Sequence, residues 1–153
     1  MIRLAYGNIL DSKCVALCNP VNCVGIMGAG LAKQFKERHP LNFEEYAKYC
    51  KAGKLVPGGC FTYRYSGPRY LLNVATKGHW KESSSMGIIR TGLQTILEEV
   101  GQHNIQSIAI PLLGAGLGAL SPTEVKAEIT GWAQTYLTEI LIEIWLPSSL
   151  EAI

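Results

Sequence analysis

The stretch "NPVNCVGIMGAGLAKQF", Asn19 to Phe35, decides how this chain is read. It leaves an apolar, strand-like run, passes two asparagines and three glycines, and enters a segment with helical spacing. Glycines there remove the Cβ atoms that would hold a ligand off the backbone, and the helix N-terminus beyond them offers N–H groups and a favourable dipole to an anion. Strand, glycine turn and helix in that order predict a phosphate held by main chain.

The same construction occurs again. "PLLGAGLGALSP", Pro111 to Pro122, follows the strand "SIAIPL" and leads into a helix at Ser121. In a parallel sheet both junctions lie outside the carboxyl ends of the strands, on the edge where ligands of α/β folds bind. Two such cradles facing one cleft suit a diphosphate, although either spacing alone also recurs as a plain turn. The dinucleotide fingerprint is not met: the first loop is followed by "NFEEYAKYC", a helix, rather than by a strand ending in an acid.

Working outward, short apolar runs alternate with helical patterns, which predicts an α/β domain around a largely parallel sheet. The strands read are "IRLAY", "CVALCN", "CFTYRY", "RYLLNVA", "SIAIPL" and "ILIEIWL". "GAGLAKQFKERHP" reads as a helix stopped at Pro40, and a second follows in "NFEEYAKYCKAG". Ile89, Leu93, Ile96, Leu97 and Val100 recur at helical spacing and predict an amphipathic cover for one sheet face. At Ser121 the N-cap, Pro122 at the first helical position and Glu124 three residues on form a capping-box pattern.

The 153 residues, 48% hydrophobic, suffice for one domain over 1–153 with its own core. No apolar run reaches the roughly 18 residues of a membrane span, and "MIRLAYGN" lacks the regions of a signal peptide, so the expectation is a soluble, cytoplasmic protein. Five cysteines without a C-x-x-C pair and three scattered histidines indicate neither a metal site nor a disulfide framework, and no cofactor is expected. Charge is uneven: from Lys33 to Arg90 eleven bases face four acids, whereas from Thr91 onward one base faces seven. That asymmetry suits steering of a phosphate-bearing ligand or nucleic acid, and equally suits two solvated helix faces.

Four passages in order resemble the macrodomains, a family that binds ADP-ribose: "YGNIL", "ALCNPVN", the first glycine loop and "PLLGAGLGAL". The resemblance covers nearly the whole chain and implies a three-layer α/β/α fold around a mixed, mostly parallel six-stranded sheet. "GIMGAGLAKQFKERHP" and "NVATKGHWKE" are similar to the branch of DarG-type antitoxins, which remove ADP-ribose from DNA, and of enzymes that release it from acidic protein side chains. In that branch the lysine of the T-K motif is catalytic, which implies Lys77 beside Thr76. The resemblance further implies that Gly25, Met27, Gly28, Ala29 and Gly30 wrap the distal ribose and diphosphate while Asn22 bonds the ribose and assists catalysis. Leu113, Gly114, Ala115, Gly116, Leu117 and Gly118 would hold the phosphates from the opposite side. Asn8, beside Ile9, stands where many macrodomains carry an aspartate that reads adenine, and an amide accepts that bond without bringing charge. Trp145 borders the adenine pocket or fills the core.

Cleavage at an anomeric carbon needs the carbon trapped or stabilised while the leaving group departs. A neutral Lys77 amine would do so by forming a Schiff base, and burial beside loop N–H groups and away from carboxylates would supply the lowered pKa. His79 and Glu82 are candidate proton carriers. The protein-acting relatives have an aspartate where this chain has Gly118, which leaves the DNA-acting reading in front. Trp80 is either a packing lid or a stacking platform for single-stranded DNA, with Lys81, Arg64 and Arg69 as phosphate contacts. Three functional readings stand: a hydrolase of ADP-ribosylated nucleic acid, partnered by a separate ADP-ribosylating toxin; a non-catalytic ADP-ribose reader; and an enzyme acting on ADP-ribosylated protein or on ADP-ribose 1''-phosphate.

Overall fold

The computed structural model describes residues 1–147. Among them six strands form one sheet: β1 (Ile2–Tyr6), β2 (Ala16–Val21), β3 (Cys60–Arg64), β4 (Tyr70–Ala75), β5 (Ser107–Pro111) and β6 (Leu141–Leu146). Their spatial order is β1-β6-β5-β2-β4-β3, and only β3 runs antiparallel to its neighbour. Helices α1 (Gly30–Arg38) and α2 (Pro40–Lys51) cover one face, and α3 (Met86–Gln102) and α4 (Pro122–Tyr136) the other, giving the α/β/α sandwich.

Periodicity accounts for both layers. Ile89, Leu93 and Ile96 of α3, with Val125 and Ile129 of α4, pack on Ile108, Ile110, Ile142 and Ile144 of the central strands. Each such aliphatic side chain contributes about 1.5–3 kcal/mol on full burial. On the opposite face Phe35 of α1 lies on Leu17, Leu71 and Ala109, and Tyr46 and Cys50 of α2 share a cluster with Val21 and Ala75. Ser121 caps α4 by accepting the Glu124 N–H, but among the described residues Glu124 makes no return bond.

Two boundaries differ from the sequence reading. Pro40 stops α1 at Arg38 but also opens α2, because its fixed φ and missing N–H suit a first helical position. Strand β2 starts two residues later than "CVALCN" and runs through Pro20 to Val21. It pairs with β5 only at Ala16 and Leu17. Pro20, which has no N–H for a ladder, lies beyond that point, where the two strands have parted.

Three fully buried asparagines set the register of α2. Asn73 of β4 donates to Asn42 Oδ1 (2.8 Å) and to the Phe61 carbonyl (3.0 Å), while Asn19 of β2 and Asn42 of α2 donate to Asn73 Oδ1 (3.1 and 3.2 Å). Buried amides need partners, so α2 cannot slide without losing these bonds. One turn further along α2, Tyr46 is thereby placed beneath Asn22.

Candidate active site

The ladder between β2 and β5 ends at Leu17, and the loops that follow the two strands face each other across the carboxyl edge of the sheet, the crevice of this fold class. In the first loop, Asn22 Oδ1 accepts the N–H groups of Val24 (3.1 Å) and Ile26 (3.4 Å), and its Nδ2 donates to the Ile26 carbonyl (2.8 Å). The Tyr46 hydroxyl lies 2.8 Å from both Asn22 oxygens. The amide assigned to a ribose is therefore already folding its own loop, with one Nδ2 hydrogen left for a ligand. Met27 is buried under Asn19, so only its main chain can face the crevice. Beyond it α1 begins at Gly30 with Ala29 as an N-cap that supplies no side-chain bond, which leaves first-turn N–H groups for an anion.

The second loop is held by main-chain bonds: Leu113 to Pro111, Ala115 to Leu112, Ala119 to Gly116 and Leu120 to Gly114, at 2.9–3.1 Å. Leu113 and Ala115 are buried, and among the described residues no acceptor serves the N–H groups of Gly114, Gly116, Leu117 and Gly118. A Cβ on Gly118 would stand 2.5 Å from the Gly114 carbonyl oxygen and 2.8 Å from its Cα. No side chain fits there without moving the main chain, which gives a steric reason for the missing aspartate. The loops meet where Leu117 Cδ1 lies 3.2 Å from the Cβ position of Gly30, whose φ is +59°.

Lys77 follows Thr76 off the end of β4. Its side chain is buried, the residue only 9% exposed, and Nζ donates to the carbonyls of Trp80 and Leu117, both at 3.2 Å. Burial lowers its pKa, and the nearby Glu82 carboxylate pulls in the opposite direction. The environment thus differs from the expected one: carbonyls rather than loop N–H groups surround the amine, and a carboxylate is close. Two carbonyl acceptors match the two hydrogens of a neutral amine, whose lone pair is then free. The segment after Lys77 is tied to both loops, through Cys23 N–H to the Gly78 carbonyl (2.8 Å) and Ser84 N–H to the Gly118 carbonyl (2.9 Å). In it, Trp80 is 48% exposed, His79 packs on its ring (centroids 5.1 Å apart) and accepts the Lys81 N–H, and Lys81 Nζ lies 5.0 Å from the indole centroid.

At the other end of the crevice Asn8 caps a short 3-10 turn, Ile9–Asp11, by accepting the Leu10 N–H (3.0 Å), and donates to Gln34 (3.1 Å). Ile9 is buried. Trp145 is half-buried and donates to Glu143 (3.1 Å), which also accepts from Ser12 (2.6 Å), Cys14 (3.2 Å) and Arg3. Burial works to raise the Glu143 pKa, but these four donors outweigh it and hold the carboxyl at about 2. The turn carrying Asn8 is thereby anchored to β6. From β1 to β4 are four strand spacings, about 19 Å at about 4.8 Å each, the reach of an extended nucleotide diphosphate sugar.

Arg64 and Arg69 are not part of this edge. Arg69 precedes β4 and Arg64 ends the antiparallel β3, opposite Tyr70, so both stand at the far edge of the sheet, about 25 Å of extended chain from Lys77. Arg69 is occupied there by the carbonyls of Ser12 (3.0 Å) and Cys14 (2.9 Å). Charge counted along the chain could not separate the two ends of a strand. The sequence reading also missed Tyr46, hidden in an ordinary amphipathic helix, and Glu143, which looks like any strand residue until its donors from β1 and the Ser12 segment are in place.

Two glycine loops at the carboxyl edge of a mostly parallel sheet, an uncapped helix start and a buried lysine define the class: an α/β domain built to take a ligand at that edge. More narrowly, the chain belongs to the Macro domain family, whose pattern matches residues 18–129. It is 38% identical, over 99% of its length, to a DNA ADP-ribosyl glycohydrolase of Thermus aquaticus, of which it spans 42%. The solved macrodomain of Mycobacterium tuberculosis DarG superposes with a TM-score of 0.90 at 36% identity, covering 95% of this chain and 97% of that one. Thermosipho africanus DarTG in complex with ADP-ribose is similar at 30% identity and a TM-score of 0.86, over 95% of this chain and 42% of the other. Among the described residues no helix is long and apolar enough to cross a membrane.

Proposed function

We propose that this domain removes ADP-ribose from modified DNA, with Lys77 as the catalytic nucleophile. The observation that carries the reading is Lys77, a residue only 9% exposed, whose amine is held by two carbonyls between the two glycine loops. Adenine lies at the Asn8 end, the diphosphate between the loops and the distal ribose over Lys77. The amine lone pair bonds to the anomeric carbon as the bond from that carbon to the base breaks, the base departing with one amine proton; the ring C–O bond then opens, its oxygen taking the second amine proton, and leaves an imine on Lys77. Water then hydrolyses the resulting imine, releasing ADP-ribose and restoring the free amine. Asn22, through its remaining N–H, and the free main-chain N–H groups orient the ligand rather than react.

DNA is favoured over protein as the carrier because Gly118 has no room for the aspartate of protein-acting relatives, and because relatives 38% identical, from Thermus aquaticus and Mycobacterium tuberculosis, are DNA ADP-ribosyl glycohydrolases. A separate ADP-ribosylating toxin is the natural partner, since a Thermosipho africanus relative, 31% identical, joins DNA ADP-ribosyl transferase and glycohydrolase in one protein. The test offers ADP-ribosylated single-stranded DNA, ADP-ribosylated protein and ADP-ribose 1''-phosphate in parallel. Release from the DNA alone is expected. Binding of ADP-ribose without release from any of the three would make the domain a reader.

A further inference from the structure

The macromolecule that carries ADP-ribose must leave the crevice beyond Lys77, on the side of β4 and β3. Two segments frame that exit. The last turn of α2 packs on the first loop, with the Gly25 Cβ position 3.5 Å from Ala47 Cα and 3.6 Å from Cys50 Cβ. From the other side the segment after Lys77 joins the same loop through the bond between Cys23 and Gly78. Val24, 44% exposed, stands between them. The exposed bases here are Lys51 and Lys54 at the end of α2, and Lys81 beside Trp80. Among the described residues none of the three has an acidic partner, whereas Lys48 is paired with Glu45 (3.2 Å). Lys54 Nζ lies 5.9 Å from the Tyr49 ring and Lys81 Nζ 5.0 Å from that of Trp80, so each ammonium sits beside an aromatic face. Bases set beside aromatics are what single strands require, phosphate contacts from the first and stacking from the second.

Resting on the reading above, we propose that Lys51, Lys54 and Lys81 form a basic rim that binds the backbone of the single-stranded nucleic acid leaving the crevice, with Trp80 facing the bases. This rim replaces Arg64 and Arg69, which the fold carries to the opposite edge. Were Lys51 in the last turn of α2 there only to complement the helix dipole, its loss would lower the melting temperature. That role would stabilise α2 but would give no salt-dependent affinity for a polynucleotide.

The experiment measures, in the Lys77→Ala background, binding of a single-stranded oligonucleotide bearing one ADP-ribose and binding of free ADP-ribose, each across a salt series. Three phosphate contacts predict a slope of log K against log salt about 2 steeper for the oligonucleotide, at about 0.7 per contact. The triple variant Lys51→Gln, Lys54→Gln, Lys81→Gln should lose that difference and weaken oligonucleotide binding at least about tenfold, while its affinity for free ADP-ribose and its melting temperature stay put. Arg64→Gln should change neither. An unchanged slope in the triple variant overturns the rim, as does an oligonucleotide that binds no tighter than free ADP-ribose or a modified peptide that gains the same salt-dependent affinity. Failure of the proposed hydrolysis would be recognised separately: wild type would bind the oligonucleotide with the steep slope and release nothing.

Discussion

The first loop, Asn22 to Gly30, is folded around one side chain, whereas the second, Leu112 to Leu120, is folded by main-chain bonds. Asn22 supplies the first loop with an acceptor for two N–H groups and a donor for one carbonyl, and Tyr46 fixes it from below. The second loop has no such side chain, and closes so tightly that Gly118 lies against Gly114. Glycine therefore means different things in the two: in the second, the fold demands it at Gly118; in the first, at Gly28, only a 3.5 Å contact to Ile26 would await a Cβ.

Substitutions rank this contrast. Gly118→Ala should have the largest effect, since the clash is with main chain and no rotamer relieves it. About 3 kcal/mol of stability, at the upper end for overpacking, and the loss of most ADP-ribose affinity are expected by thermal melting and calorimetry. Asn22→Ala should cost about 2 kcal/mol, because it strips side-chain partners from two loop N–H groups and from the Ile26 carbonyl. If it melts like wild type, the loop is not built on its amide. Gly30→Ala combines a left-handed φ with a 3.2 Å approach to a flexible Leu117 methyl, for about 1 kcal/mol. Gly28→Ala should fall within about 0.5 kcal/mol of wild type and bind ADP-ribose unchanged, and a large loss there would break the ranking. The lysine between the loops adds a pH axis. Its pKa is lowered by burial, so the rate should climb as pH rises through that value and level above it. Glu82→Gln removes the opposing pull and should move the climb to lower pH, read from a pH–rate profile.

Both loops, all six strands and all four described helices were legible in the sequence, because each rests on local chemistry: apolar period, a capping serine, glycines at a strand end. What was not legible depends on three-dimensional direction. Arg64 and Arg69 flank apolar strands just as a cleft residue would, and only the antiparallel β3 and the start of β4 reveal that they face away. The environment of Lys77 was half legible: its burial was what the mechanism implied by the resemblance required, but its carbonyl partners come from Trp80 and from Leu117, forty residues on. Asn22 was read for its ligand and found also to serve its own loop, since a hydrogen-bond partner four residues away leaves no periodic trace.

The central claim is that Lys77 reacts covalently rather than holding charge. Its most direct test is borohydride reduction during turnover of ADP-ribosylated single-stranded DNA, followed by mass analysis of the protein. The mechanism predicts one ADP-ribose fixed on Lys77 in wild type, none in Lys77→Ala, and none in Lys77→Arg, whose guanidinium stays protonated and cannot attack. Both variants should still bind ADP-ribose, because the interaction is used in the transition state. Wild-type turnover that leaves no reducible adduct, together with a Lys77→Ala variant that cleaves at the wild-type rate, would contradict the account.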